Sequence, residues 1–256
     1  MMKLATWNVN SLKVRLVHLL DWLLQQQPDV VCLQETKTED ENFPLAAVLE
    51  AGYQVVYRGQ KTYNGVAILS RYEMTDVVIG IPGWDDVQQR VIAATVQSVR
   101  VICVYVPNGQ ALDSDKYVYK LAWLQALHAY VAQQLVLYPN LAILGDYNIA
   151  PADEDIYDAQ AWGAGVLISP AERMAFQQLL GLGLVDSYRL FEQESNSFSW
   201  WDYRMAAFRR NMGARIDHVL LSSALAQTCV TCEVDVAPRK LERPSDHAPV
   251  IATLAM

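Results

Sequence analysis

The chain has 256 residues, of which 52% are hydrophobic and 19% charged. A chain this long removes about 73% of its extended surface from water on folding, so a disordered or collagenous protein is excluded. Its 20 basic and 28 acidic residues leave a net charge of −8, unlike a simple basic nucleic-acid coat protein. An enzyme that holds a divalent cation beside a phosphate can nevertheless be acidic overall.

In chain order, Leu4–Val9 reads as a short buried strand. Val14–Gln27 carries Leu16, Leu19, Leu20, Leu23 and Leu24 at helical spacing and stops at Pro28. Val30–Gln34 is an apolar run expected to be a core strand, and Phe43–Ala51 a short helix. Tyr53–Arg58 and Gly65–Ser70 read as strands. Arg90–Val96 and Val99–Val106 flank Gln97-Ser98 as a hairpin. Asp113–Tyr138 is a long helix, and Leu141–Leu144 a strand that meets the turn Gly145-Asp146-Tyr147-Asn148. Ser169-Pro170-Ala171-Glu172 is a capping box that starts a helix running to Gly181. Phe198–Trp201, Ile216–Leu221, Val230–Val236 and Pro249–Leu254 read as four further strands.

No repeat, low-complexity stretch or Gly/Ser/Pro-rich linker divides the chain, so residues 1–256 are expected to form one domain. Strands outnumber helices, and helices interrupt them throughout. The expected fold is therefore α/β of the α+β type: a four-layer sandwich, two mixed sheets face to face with helices outside. No window approaches 18 uninterrupted apolar residues, so no membrane association is expected. The amino terminus turns polar too early for a secretory signal. Cys32 and Cys103 sit inside apolar runs, and Cys229-x-x-Cys232 lacks a second pair or a nearby histidine, which makes a zinc site a poor reading. A reducing, cytoplasmic setting and a monomer are expected.

The informative feature is where polar residues fall. Asn8 follows the first strand, and Gln34-Glu35 the second. Asp146 and Asn148 follow Leu141–Leu144, Asp217 lies in Arg215-Ile216-Asp217-His218, and Ser245-Asp246-His247 precedes the last strand. Strand ends converge at one rim of a sheet, so these groups can share a site. Such hard oxygen donors suit Mg²⁺ or Mn²⁺ rather than zinc. Phosphate-ester cleavage needs charge stabilisation, a positioned water and a stabilised leaving oxygen. Taken singly, Asn8, Asp146 and Asn148 also read as ordinary turn residues, and His247 as a structural histidine.

Seven segments then carry a resemblance. They are Trp7-Asn8-Val9-Asn10-Ser11, Leu33-Gln34-Glu35-Thr36-Lys37, Tyr63-Asn64-Gly65-Val66-Ala67-Ile68, Gly145-Asp146-Tyr147-Asn148, Trp201-Asp202-Tyr203-Arg204, Arg215-Ile216-Asp217 and Ser245-Asp246-His247-Ala248-Pro249. In this order, across residues 2 to 254, they resemble the exonuclease III family of DNA-repair nucleases. That family lies within the endonuclease/exonuclease/phosphatase superfamily, with abasic-site endonucleases and DNase I. The resemblance implies the same four-layer fold and a Mg²⁺- or Mn²⁺-dependent phosphodiesterase.

It implies, residue by residue, that Glu35 binds the metal with Asn8 beside it. Asp146 positions or deprotonates the attacking water, and Asn148 holds a phosphate oxygen close to the metal. Asp246 completes the acidic cluster. His247 contacts the scissile phosphate and Asp217 orients its ring, an arrangement that raises imidazole basicity. Tyr105 matches the family's active-site tyrosine, and Lys116 lies where the family reaches toward the DNA backbone. His218 directly follows Asp217 and should point to the opposite face.

The implied partner is double-stranded DNA, damaged or nicked. No acidic residue occurs from Met205 to Gly213, where Arg204, Arg209, Arg210 and Arg215 stand in or around the stretch, or from Ala51 to Tyr72. Basic strips of this kind on an acidic protein suit a phosphate backbone. Trp200, Trp201 and Ile216 are expected to form a hydrophobic wall. Relatives that incise abasic sites commonly place Trp or Leu where this chain has Ala214; burial of a large side chain is worth roughly 1.5–3 kcal/mol. The expected balance is thus toward 3′–5′ exonuclease and 3′-phosphatase work, with weaker abasic-site incision. The glycines of Trp162-Gly163-Ala164-Gly165-Val166-Leu167-Ile168 suggest a flexible or open approach to the site. Alternatives are a superfamily phosphoesterase acting on RNA, an inositol phosphate or a lipid headgroup, and a catalytically silent DNA-binding module.

Overall fold

The computed structural model describes residues 1–163 and 165–256. In chain order the elements are β1 (Met2–Asn8), α1 (Leu12–Gln26), β2 (Val30–Gln34), α2 (Leu45–Glu50), β3 (Gln54–Arg58), β4 (Val66–Ser70), β5 (Met74–Ile79), β6 (Val91–Val96), β7 (Val99–Tyr105) and α3 (Asp115–Leu137). There follow β8 (Leu141–Asp146), α4 (Ala159–Trp162), α5 (Pro170–Gly181), β9 (Leu184–Asp186), β10 (Trp200–Trp201), β11 (Gly213–Ala214), β12 (Asp217–Ser222), α6 (Ser223–Ala226), β13 (Cys229–Val234) and β14 (Val250–Leu254).

Two six-stranded sheets result, in the orders β13-β14-β1-β2-β4-β3 and β5-β6-β7-β8-β12-β9. Each is mixed: β1–β2 and β7–β8 are parallel and the other pairs antiparallel. Period-two alternation explains the layering. In β7, Val101 and Cys103 point to the interface between sheets, where they meet Leu4, Cys32, Ile68 and Val250. Ile102 and Val104 point the other way, onto Trp123 and Leu127 of α3 and Phe176 of α5. On the first sheet, Ala5 and Trp7 of β1 face Leu19, Trp22 and Leu23 of α1 and Val48 of α2. The expected four-layer sandwich is therefore observed, with Trp7, Trp22 and Trp123 all in the core.

Three strands escape the sequence pattern. The edge strand β5 is largely exposed, and a register shift between Thr75 and Val78 breaks its alternation. β9 and β11 are three and two residues long, too short to show a period. The Ser169 capping box forms as expected, with reciprocal Ser169 and Glu172 bonds and Pro170 in the first turn. All four cysteines are free thiols. No helix among the described residues is long and apolar enough to cross a membrane.

The topology matters because of where the strands stop. Tyr105, Asp146 and Asp217 are register partners across β7, β8 and β12, so three polar groups stand in one row at one end of the second sheet. Asn8 and Gln34, the last residues of β1 and β2, pair in the same way in the first sheet. One rim of the sandwich thus gathers the residues that were scattered in sequence.

His218 points into the opposite layer, as expected. Its Nε2 lies 2.8 Å from the Ile149 carbonyl and its Nδ1 3.0 Å from an Arg215 nitrogen. Arg215, counted above with the basic strip, is only 1% exposed and is spent on Asp155 and Asp186; it faces the interior and not a DNA backbone. Burial, with the Arg215 charge, pulls the His218 pKa down to about 4. The unfolded ring binds its proton near pH 6.5, so stability from neutral His218 is complete above that pH and declines as pH falls toward 4. We expect urea unfolding to show a loss of about 2 kcal/mol from this ring between pH 7 and pH 5. A His218→Asn variant should be weaker at pH 7 but show a correspondingly flatter pH profile.

Candidate active site

The rim pocket encloses about 400 Å³ and is lined by Glu35, Tyr105, Asp146, Asn148, Asp246 and His247, among others. Asn8 sits at its floor. One hydrogen of its side-chain amide goes to Glu35 Oε1 at 2.8 Å and the other to Asp146 Oδ2 at 2.9 Å. A single neutral amide therefore holds two carboxylates together. Asp146 also accepts from the Asn148 backbone N–H at 2.9 Å, and Lys37 pairs with the far oxygen of Glu35 at 2.7 Å. Glu35 and Asn148 both have left-handed backbones, with φ of 52° and 49°. Asparagine tolerates that region; for glutamate it is strained, which the turn out of β2 enforces to aim the carboxylate at the rim.

His247 stands across from this pair. Its Nδ1 meets Asp217 Oδ2 at 2.9 Å and its Nε2 lies 3.7 Å from Asp146 Oδ2. Ser199 donates to the same Asp217 oxygen at 2.7 Å, which locks the carboxylate and hence the ring. Burial opposes a charged imidazole, but the Asp217 and Asp146 carboxylates outweigh it and raise His247 to about 10. Burial raises Asp146 to about 7, with the neighbouring Asp217 and Glu35 charges adding and His247 opposing. Tyr105 is pushed well up by burial and by Glu35 and Asp146, so its hydroxyl stays protonated as a donor. Asp246 is held below the usual range: burial works against this, and the His247 charge with bonds from Asn10 and Trp200 prevails.

The donor set fits a hard divalent cation. Glu35, Asp146 and His247 bring side-chain O and N atoms within 4.8 Å of one another, the only such His/Cys/Asp/Glu group among the described residues; with the imidazole protonated, the two carboxylates are the donors to a cation. Two carboxylates bridged by a neutral amide leave negative charge that such a cation would neutralise. Asp246 lines the same pocket, but its two oxygens already accept from Asn10 at 2.8 Å and Trp200 at 3.0 Å.

Against this geometry the comparisons are decisive. The model for the Endonuclease/Exonuclease/phosphatase family matches residues 5–247. This chain belongs to that family. Within the family it is 37% identical to exodeoxyribonuclease III of Haemophilus influenzae, over 98% of this chain and 99% of the relative. Among solved structures, a Neisseria 3′ phosphatase bound to product DNA hairpin matches with TM-score 0.98 and 49% identity, covering 100% of both chains. An AP endonuclease from Archaeoglobus fulgidus matches with TM-score 0.96 and 38% identity, again over 100% of both.

The structure brings Asn8, Glu35, Tyr105, Asp146, Asn148, Asp217, Asp246 and His247 to one rim. The expected DNA-contacting residues divide. Trp200 lines the pocket, and Arg204 lines it while forking onto Asp202. Arg209, Arg210 and Lys116 are exposed, and none of them lines the pocket. Trp201 and Ala214 are corrections. Trp201 is 2% exposed, packed edge-on against Phe208, and Ala214 is fully buried in β11 opposite Trp200. Neither side chain reaches the surface: they lie on opposite faces of the β10–β11 ribbon, Ala214 covered by the Ile156 and Ile216 cluster and Trp201 by Phe198 and Phe208. In the loop 162–168, Ala164 lies outside the described residues. Trp162 Nε1 donates to the Val166 carbonyl at 3.0 Å, so the expected open approach is bridged by an indole.

Sequence reasoning missed Ser199, Asn108 and Lys120. Asn108 donates to Asn148 Oδ1 at 2.9 Å. Lys120, fully buried, donates to the Asn108 and Asn148 carbonyls at 3.2 and 2.7 Å and pairs with Glu172. Glu172 in turn accepts from the Leu167 and Ser169 amides. Lys120 falls on the helical stripe of α3, where a lone lysine gives no sign of burial. Removing one partner of a buried pair strands the other charge. Lys120→Met should therefore lose about 3–5 kcal/mol in urea unfolding, far more than an exposed lysine on the same helix.

Proposed function

We propose that this chain is a divalent-metal-dependent DNA-repair phosphodiesterase that removes 3′-terminal phosphates and nucleotides from nicked or damaged duplex DNA, with weaker incision at internal abasic sites. The observation that carries this reading is the row Asp217–His247–Asp146, at 2.9 and 3.7 Å, facing Glu35 through Asn8. Mg²⁺ or Mn²⁺ would be held by Glu35 and Asp146, with Asn8, Asn148, Asp246 and His247 nearby. When bound, the metal supplies charge neutralisation for the phosphate and its leaving oxygen.

The chain's own residues do the rest. Asp217 accepts from His247 Nδ1, which leaves Nε2 as an N–H donor toward a non-bridging phosphate oxygen. Asp146, fixed by Asn8 and the Asn148 N–H, orients the attacking water and accepts its proton. Asn148 and the protonated Tyr105 hydroxyl add donors to the phosphate oxygens. The Haemophilus exodeoxyribonuclease supports DNA over other phosphate esters, and the Neisseria 3′ phosphatase supports its 3′ ends.

A second cleft of about 500 Å³, lined by Lys13, Lys37 and Lys61, opens beside Glu35 through the shared Lys37. Lys37 is already paired with Glu35 and Glu39 lines the same cleft, so the exposed Lys13 and Lys61 ammonium groups are the ones free to meet a duplex backbone.

Two expectations follow. Asp146→Ala should lower release of phosphate from a nicked duplex bearing a 3′-phosphate by at least a thousandfold, as should EDTA, while duplex binding measured by anisotropy stays largely intact. Substantial turnover in that variant would contradict its role. The double change Lys13→Ala/Lys61→Ala should raise KM with little change in kcat. It should also reduce the salt dependence of binding, with a log–log slope smaller by about 1–2.

A further inference from the structure

The rim pocket shares one wall with an apolar pocket of about 260 Å³ lined by Tyr157, Met205 and Met212. Trp162, Trp200, Asp202 and Arg204 line both cavities, so the two indoles form the apolar part of the partition and the Asp202–Arg204 ion pair the polar part. Trp162 is held rigidly. Its ring meets Trp200 edge-on, with centroids 6.4 Å apart and planes at 82°, and meets Tyr157 at 6.4 Å and 80°. Its Nε1–H is anchored on the Val166 carbonyl. An aromatic fixed on three sides does not swing aside cheaply.

Trp162 also packs on the buried cluster that contains Ala214 and Ile216. The bulk missing at position 214 is thus supplied from a different element, α4, and from the pocket side of the wall. The consequence differs from that of an open cavity. An abasic nucleotide inside a strand has phosphates on both sides, and an enzyme that recognises it by extrusion takes its sugar out of the duplex and into a pocket. Such a sugar needs apolar room beside the phosphate, and the apolar side of this pocket is taken up by Trp162, next to Trp200 and Ile216. A 3′-terminal phosphate is the end of its strand and needs only the polar part of the pocket.

Resting on the phosphodiesterase reading above, we propose that Trp162 is a specificity-determining residue that biases the rim pocket toward strand-terminal 3′ groups and against an extrahelical abasic nucleotide.

The test compares two duplexes, one with an internal tetrahydrofuran abasic analogue and one nicked with a 3′-phosphate, in the wild-type, Trp162→Ala and Trp162→Phe proteins. The ratio of abasic incision to 3′-phosphate release should rise about tenfold in Trp162→Ala, the scale on which a pocket wall discriminates. Trp162→Phe, which keeps an aromatic wall, should stay within about threefold of the wild-type ratio. A ratio that is unchanged or lower in Trp162→Ala overturns the proposal, as does a wild type that incises the abasic duplex as fast as it releases 3′-phosphate. Neither result touches the phosphodiesterase reading, which fails instead if the wild type acts on neither duplex. Binding keeps the two separable: in an Asp146→Asn background with Mg²⁺, Trp162→Ala should improve affinity for the tetrahydrofuran duplex relative to the 3′-phosphate duplex about tenfold. Equal affinities before and after the change would reject the wall. Circular dichroism and thermal unfolding identify a variant that has simply lost its fold, and Trp162→Phe then carries the comparison with Trp162→Leu in place of alanine.

Discussion

Negative charge crowded into a dry rim is the constraint on which the rest of the molecule depends. Glu35, Asp146, Asp217 and Asp246 all face one pocket or its floor. Like charges at such range repel, and burial adds a desolvation penalty to each. Every one of them is restrained by donors from elsewhere: the Asn8 amide, the Asn148 N–H, Lys37, Asn10, Trp200 and Ser199. Asp146 and Asp217 are fixed by strand register, and Glu35 and Asp246 by the side-chain bonds just named. Two six-stranded sheets with three apolar layers between and around them supply the rigidity that this crowding requires.

The support is layered. Behind Asn148 lies Asn108, and behind both lies Lys120 with its partner Glu172, which also holds the amides that end the loop 162–168. One buried ion pair therefore ties together the loop after β7, the loop after β8 and the segment leading into α5. Such a pair adds little net stability against a well-packed apolar alternative. Its use here is positional: it fixes three backbone segments that carry no regular hydrogen-bond ladder of their own. The wall of the pocket is likewise built from distant segments, with Trp162 of α4 packed on the cluster that holds Ile156, Ala214 and Ile216.

Much of the fold was legible from residues alone. β2, β4 and β8 are buried on both faces and read as continuous apolar runs. α1 was marked by leucine spacing and a following proline, and α5 by its capping box. β5, β9 and β11 were not legible, because edge exposure, a bulge and shortness remove the period on which such reading relies. The rim residues were legible for a related reason: a carboxylate or amide ending an apolar strand breaks the pattern where the strand leaves the core. Ser199 and Lys120 broke no pattern; their roles arise from partners 18 residues away for Ser199 and 12, 28 and 52 residues away for Lys120.

The sequence by itself determined the family, the strand-end positions of the candidate catalytic groups and the four-layer class, since all three are written in local periodicity and in short motifs of covalent neighbours. Only the tertiary structure decided which side chains face solvent. It turned Trp201, Ala214 and Arg215 inward, set His247 between two carboxylates, and brought Trp162 to the space beside Ala214. Burial and through-space contact depend on how distant segments pack, and no local pattern encodes them.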